Sequence, residues 1–490
     1  MNRTSLPALI LVGLLVPIAL PGCPASANLC DNGACEAAAR DDGGTPDGDA
    51  AVVPVDECLD KPDAPECLDE AAALFVSADG DAAAADGTKA KPFKTLGAAL
   101  GRITAERKRI YVCDGTYPED VALDANHAGV SLFGGFTCEW LTSTTKPTLG
   151  DGPLALKVTG ATGVAIAGLA FAAHDATDPG GSSIAAFVAN ADVTFKGVSL
   201  AAGLGKAGDP GVLVPFTYPA ASELKGNDGA DGGAAMPYTC PGDATTSSVG
   251  GAGGPPLGGD GQPGTIGPNN AGSELQCLSN NTGGGNGQAG ASPLAATAAA
   301  NHGTLSADGW QPAAGPDGAK GSAGQGGGGG AGRGGGYGGG GGAGGCGGKG
   351  GPGGKGGGAS IALAMLQATV RLEASSLTAT NAGDGGNGAA GQTGQTPGGA
   401  RGLADGAGTG CNGGNGGPGG TGAEGAGGPG GISVGVLHLG SPPDVDDATT
   451  AAITVGKRGA PGTGGKPGAA PTGNDGLPGV AEPIKNASQL

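Results

Sequence analysis

The sequence predicts an all-β protein in which short parallel strands coil into a solenoid interrupted by long glycine-rich insertions. Three observations predict this class. Apolar runs of three to five residues with small connectors recur between 110 and 200, as a coiled parallel solenoid requires. One of these segments repeats 177 residues later, and glycine occupies every third position over long stretches of the second half. A three-residue period fits neither an α-helix nor a strand but is that of the extended polyproline-II helix.

The chain begins with the features of an export signal. Arg3 supplies positive charge, and the apolar run 9–20 is too short to favour a membrane span. The run ends in Leu-Pro-Gly-Cys at 20–23, which resembles the lipobox of bacterial lipoproteins. The resemblance implies cleavage before Cys23 and acylation of that residue, and several acyl chains give a firm membrane anchor. We therefore expect an exported, membrane-anchored protein, periplasmic or on the cell surface; the alternative is ordinary secretion with Cys23 used elsewhere.

Residues 23–72 are rich in Asp, Ala and Pro and poor in large apolar side chains. Such a composition is typical of a solvated linker. We expect a stalk that holds the folded part away from the membrane.

The folded part is predicted to begin with a strand at 75–77 and a capping helix near 95–106. Thr95 is a suitable N-cap, and apolar residues follow at helical spacing up to Ile103. The stretch resembles the entry segment of right-handed parallel β-helices of the pectate-lyase-like (pectin-lyase-like) superfamily. The residues that carry the resemblance are Gly87, Thr88, Pro92, Phe93, Thr95, Ala98, Tyr111, Val112, Gly115, Thr116, Tyr117 and Glu119. It implies that fold but no activity, because lyases, hydrolases, adhesins and binding proteins share it.

An internal repeat connects the two halves of the chain. Residues 180–208 align without gaps to 357–385, so that Ile184 falls on Ile361 and Phe195 on Leu372; the single break sets Val198 against Ser375. A weaker third copy at 430–439 puts Ile432 on Ile361. We infer consecutive rungs of one solenoid, interrupted at the same corner by glycine-rich excursions.

In these excursions glycine keeps its three-residue phase from Gly336 to Gly357 and from Gly410 to Gly431. Bare backbone on two edges of each segment would let neighbouring segments approach and exchange hydrogen bonds. We expect a polyglycine-II-type bundle, and the alternative is flexible loops without fixed structure. The composition also resembles glycine-rich (PGRS-like) surface proteins, which by itself implies no function.

The predicted boundaries are 1–22 (signal peptide), 23–72 (stalk), 73–208 (N-terminal β-helix), 209–356 (insertion), 357–382 (rung), 383–430 (insertion), 431–468 (C-terminal rung and glycine tail) and 469–490 (disordered tail).

Eleven cysteines are present. Without Cys23 an even ten remain, which suits disulfides in an oxidising compartment. Spacing favours local pairs, namely Cys30–Cys35 in the stalk, Cys58–Cys67, Cys113–Cys138, Cys240–Cys277 and Cys346–Cys411.

The formal net charge of −19 leaves no basic patch for nucleic acid. The four histidines stand at no metal-ligand spacing from one another, so no metal, cofactor or catalytic motif is expected. The one polar cluster to consider is His174, Asp175 and Asp178 between a strand and the first repeat, with Lys196 on a later strand. A polar turn explains it equally simply.

We therefore expect a lipid-anchored envelope or surface protein with a structural, adhesive or interaction role. Its partners would be the membrane, through Cys23, and envelope components or glycans. Two alternatives stay open. A carbohydrate-active β-helix enzyme would need a carboxylate or basic cluster along one solenoid face, and an ice- or surface-binding protein would need a ridge of Ala and Thr.

Overall fold

The structure is a computed structural model that describes residues 57–81, 83–266, 271–273, 277, 283–406, 409–466 and 473–490. The predicted signal peptide, the lipidation site Cys23, and Cys30 and Cys35 lie outside the described residues. The described chain is all-β, and most of its strands lie in three parallel sheets. The α-helices with described bounds are short, namely α1 (Leu96–Leu100) and α2 (Asp447–Ala451).

The first sheet contains β1 (Ala73–Val76), β2 (Arg109–Cys113), β5 (Ser131–Phe136), β8 (Val164–Ala167), β11 (Asp192–Lys196), β18 (Thr369–Glu373) and β21 (Asp444–Val445). The second contains β3 (Thr116–Tyr117), β6 (Thr148–Leu149), β9 (Ala170–Ala172), β12 (Ser199–Ala201), β19 (Ser376–Thr378) and β22 (Ile453–Thr454). The third contains β4 (Val121–Leu123), β7 (Leu154–Thr159), β10 (Ser183–Ala189), β17 (Ser360–Leu366), β20 (Ser433–Leu439) and β23 (Ala481–Asn486).

From β2 onward the chain visits the three sheets in a fixed cyclic order, first, second and third, and each new strand pairs parallel with the strand of the previous circuit. Alternating apolar side chains from all three sheets form one buried cluster that includes Val193, Phe195 and Leu200. The strands are short because each contributes only a few inward-facing positions before the chain turns to the next sheet.

The 177-residue repeat is confirmed strand by strand. Ile184 and Ile361 are partners across β10 and β17, and Phe195 and Leu372 are partners across β11 and β18. The register of the third copy was predicted wrongly, because Ile361 pairs with Val434 rather than with Ile432. The two-residue shift preserves the alternation of a strand, so both residues are buried and the pattern alone does not distinguish them.

The predicted N-cap of α1 is confirmed, since the Thr95 hydroxyl accepts the Ala98 N–H at 3.1 Å. The Glu119 carboxylate accepts the N–H groups of Leu96 (2.6 Å) and Gly97 (3.0 Å), which satisfies the remaining donors of the first turn. The helix ends at Leu100, so the prediction of a helix extending to 106 was too long.

The folded part begins earlier than predicted, because residues 57–72 belong to it and not to the stalk. Cys58 and Cys67 form a disulfide, and the Tyr111 hydroxyl donates to the Pro62 carbonyl at 2.9 Å. This segment packs on aromatic side chains of the outer face of the first sheet, where Tyr111 and Phe133 stack with centroids 5.0 Å apart. Without it those rings would face water.

The outer face of the third sheet is also covered. The first excursion contributes an antiparallel hairpin, β15 (Gly303–Ser306) and β16 (Gly309–Pro312), whose Leu305 and Trp310 are buried against Ile361 and Val434. A second hairpin joins β13 (Met236–Tyr238) to β14 (Ser248–Gly250). The prediction of a disordered tail at 469–490 is wrong for the described part, because β23 pairs parallel with β20 over Ala481–Asn486.

The glycine-rich excursions form a hydrogen-bonded layer. Along 339–357 the N–H of every third residue donates to a carbonyl of 411–429, beginning with Gly339 to Cys411 and ending with Gly357 to Pro429, at 2.8–3.0 Å. Residues 383–402 run antiparallel to 340–358, from Gly383 to Gly358 through Gly402 to Gly340. The glycine-rich segments therefore satisfy one another's backbone groups.

Glycine is required where these segments touch. A Cβ atom on Gly347 would overlap the carbonyl oxygen of Gly321, and one on Gly353 would overlap that of Gly315. Cys346 and Lys349 occupy successive positions of the remaining triplet phase, with glycine on both sides of each.

The eight described cysteines form four disulfides. The predicted pairs Cys58–Cys67 and Cys113–Cys138 are confirmed, whereas the pairs predicted for the excursions are wrong: Cys240 bonds Cys346 and Cys277 bonds Cys411. The excursions fold back on themselves, so residues adjacent in space are not neighbours in sequence. Cys277–Cys411 joins the first excursion to the second, as the predicted pair Cys346–Cys411 would also have done.

Candidate functional site

The predicted polar cluster lies between β9 and β10, and its members have structural partners. The Asp175 carboxylate accepts the Leu204 N–H at 2.6 Å, and the His174 carbonyl accepts the Ser183 hydroxyl at 2.8 Å. Asp178 contributes its backbone carbonyl to the Gly181 N–H at 2.7 Å. The Ser183 and Gly181 bonds are those of a hydrogen-bonded turn joining two strands, and the Asp175 bond reaches the segment that follows β12.

Lys196 is on the first sheet and belongs to another group of charges. Its ammonium pairs with Asp60 and lies 3.9 Å from Glu373, which in turn is 2.9 Å from the Arg371 guanidinium. The hydrogen bond with Lys196 lowers the pKa of Asp60 below its ordinary value. Lys196 thus joins the N-terminal segment to the sheet, and its ion pairs do not involve His174, Asp175 or Asp178.

A depression of about 540 Å³ beside the Cys58–Cys67 disulfide was not anticipated from the sequence. Its lining includes the acidic residues Glu57, Asp60 and Glu66 and the basic residues Lys61 and Arg109. These charges largely offset one another, and Asp60 is already ion-paired. In the described part of the chain, no three His, Cys, Asp or Glu side chains are grouped to hold a metal ion.

The most regular feature is the hydrogen-bond geometry within the glycine-rich layer. Three successive N–H groups point to three different neighbours: Gly339 donates to Cys411, Gly340 to Asn227 and Gly341 to Gly251, at 3.0, 2.8 and 2.8 Å. The next residue, Gly342, donates again to the segment that contains Cys411. The N–H groups of this segment therefore bond three different neighbours in turn, with a period of three residues.

At the exposed edge of the layer, side chains complete this pattern through what we call the Asx–Gly clamp. In a clamp, an Asn or Asp precedes a glycine, and the glycine N–H donates to the carbonyl of a residue on the next segment. The side-chain oxygen of the Asn or Asp accepts a backbone N–H from that segment. The donor is either the same residue or the residue two positions further along. The Asp384–Gly385 clamp holds Ala460, with bonds of 2.9 Å to its carbonyl and 2.7 Å from its N–H. The Asn387–Gly388 clamp holds Thr463, with both bonds at 2.8 Å.

Asp175 makes a similar pair of bonds, although Ala176 follows it in place of a glycine: the Asp175 carboxylate accepts the Leu204 N–H, and the Leu204 carbonyl accepts the Ala176 N–H at 2.9 Å. The candidate polar residue thus has the same kind of contact with the next segment as the Asx–Gly clamps of the excursions. The Asx–Gly clamps could have been predicted from the sequence, because an Asn or Asp immediately before an in-phase glycine marks each one.

Two glutamines fasten the proline-rich segment 214–219 to the layer. The Gln392 amide accepts the Phe216 N–H and donates to the Phe216 carbonyl, both at 2.8 Å. Gln395, one triplet further on, donates to the Pro219 carbonyl at 2.9 Å. The Phe216 ring lies beneath the ammonium groups of Lys320 and Lys349, with nitrogen-to-centroid distances of 5.5 and 5.6 Å.

None of the described helices is long and apolar enough to cross a bilayer. No protein family, curated protein or solved structure matches this chain.

Proposed function

We propose that this protein is an exported, lipid-anchored structural component of the cell envelope that presents its glycine-rich layer as a rigid interaction surface. The observation that carries the proposal is the pairing of all eight described cysteines in four disulfides. Disulfides of this kind persist in oxidising compartments. They agree with the export signal and with a lipid anchor at Cys23.

In this proposal the three parallel sheets are the faces of a right-handed β-helix of the pectate-lyase-like type. The cyclic order in which the chain visits the sheets supports it, as does the resemblance of the entry segment, with its N-cap at Thr95. Helix α1 and the residues before it would then close the first circuit, which protects the open edges of the sheets.

The glycine-rich layer is proposed to be a polyglycine-II bundle. Its support is the direction of successive N–H groups, which repeats every three residues as a three-fold screw requires. At a rise of about 3.1 Å per residue, the segment 337–358 would project about 65 Å from β17. A stiff projection of that length suits a structural or adhesive role.

The geometry supports this role better than a catalytic one. Asp175 is occupied by the Leu204 N–H, and Lys196 by Asp60, so the polar residues considered for polysaccharide cleavage are engaged in separate structural contacts.

Palmitate labelling of cells producing the full chain tests the anchor. We expect label on the wild type and its loss in Cys23→Ser, whose disulfide map should be unchanged. Label that survives the substitution contradicts lipidation at Cys23. Protease treatment of intact cells then distinguishes surface display, in which the labelled protein is cleaved, from an inward-facing location.

A second experiment addresses the role. Soluble protein (24–490) is incubated with purified envelope polysaccharides, and both bound protein and newly formed reducing or unsaturated ends are measured. Binding without new ends agrees with the proposal. New ends that disappear in a variant with alanine at Asp175, Asp178 and Lys196 would instead favour the carbohydrate-active enzyme.

A further inference from the structure

We propose that the Asx–Gly clamps protect the asparagines of the glycine-rich layer from deamidation, so that these positions become modification sites only in molecules whose layer has opened. The inference concerns chemical durability and does not depend on the proposed function. The described part of the chain contains four Asn–Gly pairs, at 286–287, 387–388, 412–413 and 415–416. Asn–Gly is the sequence in which this reaction meets least steric hindrance, because glycine has no side chain.

The reaction needs two atoms to be free. The glycine backbone nitrogen attacks the asparagine Cγ, a C–N bond forms, and the nitrogen loses its proton to a base in solution. This bond closes a five-membered ring; the side-chain amide nitrogen then takes a proton from the solvent and leaves as ammonia, which gives the succinimide, and water opens the ring at either carbonyl to give Asp or isoaspartate. The net change is addition of water and loss of ammonia, so no oxidant or reductant is needed.

In all four pairs the attacking nitrogen is occupied. The glycine N–H groups donate to backbone carbonyls of neighbouring segments: Gly287 to Asn415 (2.8 Å), Gly388 to Thr463 (2.8 Å), Gly413 to Gly402 (3.0 Å) and Gly416 to Gly399 (2.8 Å). An N–H held in this way must first break its hydrogen bond before the nitrogen can be deprotonated.

The group under attack is also held. The Oδ1 atoms accept backbone N–H groups: Asn286 from Asn415 (2.9 Å), Asn387 from Thr463 (2.8 Å), Asn412 from Ala404 (2.9 Å) and Asn415 from Arg401 (2.9 Å). Each side chain is thereby held against a neighbouring segment. Reaction requires both bonds of a clamp to open together.

The consequence is specific to this architecture. Isoaspartate inserts an extra methylene into the main chain, which would displace every in-phase glycine beyond it. The hydrogen bonds that hold the segments together therefore involve the dipeptide whose deamidation would disturb the layer most. The same hydrogen bonds protect that dipeptide from deamidation.

The first experiment follows deamidation and isoaspartate at each of the four asparagines by peptide mapping. The oxidised full chain and the same chain reduced in guanidinium are incubated at alkaline pH. We expect the folded protein to react more slowly at all four sites by a factor of about 10 or more, which corresponds to an opening free energy of about 1.4 kcal/mol or more. Equal rates in the folded and unfolded chains would overturn the proposal.

A matched pair of variants isolates one clamp. Thr463→Pro removes the N–H that Asn387 accepts but keeps the carbonyl that Gly388 uses, and proline is compatible with an extended three-residue helix. Thr463→Ala keeps both groups. We expect faster deamidation at Asn387 in Thr463→Pro alone, with the other three sites unchanged. Identical Asn387 rates in the two variants would overturn the role of the side-chain bond.

Discussion

The Ser375 hydroxyl accepts the Val198 N–H at 3.2 Å, which joins the two residues where the internal repeat changes from apolar to polar. Both are buried, with exposed fractions of 2% for Ser375 and 0% for Val198. The same hydroxyl donates to the Glu373 carbonyl at 2.8 Å, and the Ser375 N–H donates to Thr449 at 2.9 Å. The single break in the repeat is therefore a satisfied polar contact within the core.

We expect Ser375→Ala to destabilise the protein by about 1–3 kcal/mol, because it leaves the Val198 N–H buried without an acceptor. Ser376→Ala, at the adjacent and partly exposed position, is the control and should change the unfolding free energy by less than about 0.5 kcal/mol. Denaturant titration measures both. Equal effects of the two substitutions would mean that the Ser375 hydroxyl makes no net contribution to the free energy of unfolding.

Gly347→Ala should disrupt the glycine-rich layer, because the new Cβ atom would overlap the Gly321 carbonyl oxygen. The expected cost is about 1–3 kcal/mol or more, as for other overpacking substitutions. Gly406→Ala, where no atom lies within 4 Å of the added Cβ, should be tolerated. Hydrogen exchange of the layer's amides reports the difference, and comparable protection in the two variants would contradict close packing at Gly347.

Asp175→Ala should cost about 0.5–1.5 kcal/mol, because the Leu204 N–H loses its carboxylate acceptor. Asp178→Ala should have an effect within about 0.5 kcal/mol, since the contact described for Asp178 uses its backbone carbonyl. Thermal unfolding under matched conditions compares them. A larger loss in Asp178→Ala would show that its side chain has a role beyond the turn.

Peptide mapping without reduction should recover Cys240 joined to Cys346 and Cys277 joined to Cys411. Peptides joining Cys240 to Cys277 would contradict the fold of the excursions. The double variant Cys240→Ser/Cys346→Ser should lose more stability than Cys58→Ser/Cys67→Ser, because the sequence separations are 106 and 9 residues. In the chain-entropy description a loop of about 100 residues contributes about 4.7 kcal/mol.

Burial raises the pKa of Tyr117 to about 12, and its hydroxyl donates to the Cys113 carbonyl at 2.9 Å. The folded state thus favours the neutral phenol. The contribution of the neutral Tyr117 hydroxyl to folding stability is complete below the ordinary tyrosine pKa of about 10, and it is lost as the pH rises toward 12. The stability advantage of the wild type over Tyr117→Phe should decline across that range. Tyr337→Phe, at an exposed tyrosine, is the control. A difference that does not vary with pH would contradict the raised pKa.

The sequence was sufficient to predict the strands and their pairing where apolar positions alternate. Ile184 and Ile361, or Phe195 and Leu372, face the same core because burial of large side chains fixes the register of each strand. Thr95 could be predicted as an N-cap for an equally local reason, namely its hydroxyl at the first unsatisfied turn.

The remaining errors concern contacts that local pattern does not determine. Cys240 and Cys346 meet because two extended segments fold back beside each other, and nothing in their spacing encodes where those segments turn. Lys196 was grouped with Asp175 because a carbohydrate-active enzyme on the resembled fold would need a basic residue near carboxylates. The sheets separate the two residues and give Lys196 a partner, Asp60, from the segment that had been assigned to the stalk.

The antiparallel pairing of 383–402 with 340–358 has a consequence for how this protein can change in evolution. The segments 315–330 and 339–354, which the turn containing Gly334 and Gly335 joins, pair antiparallel in the same way, so adding or deleting one triplet at that turn leaves the pairs between these two segments in phase. A coding change of nine nucleotides at such a turn alters the reach of the projection without disturbing the strands. Insertions of one or two residues bring side chains to positions reserved for glycine, so we expect length variants among natural homologues to differ by multiples of three.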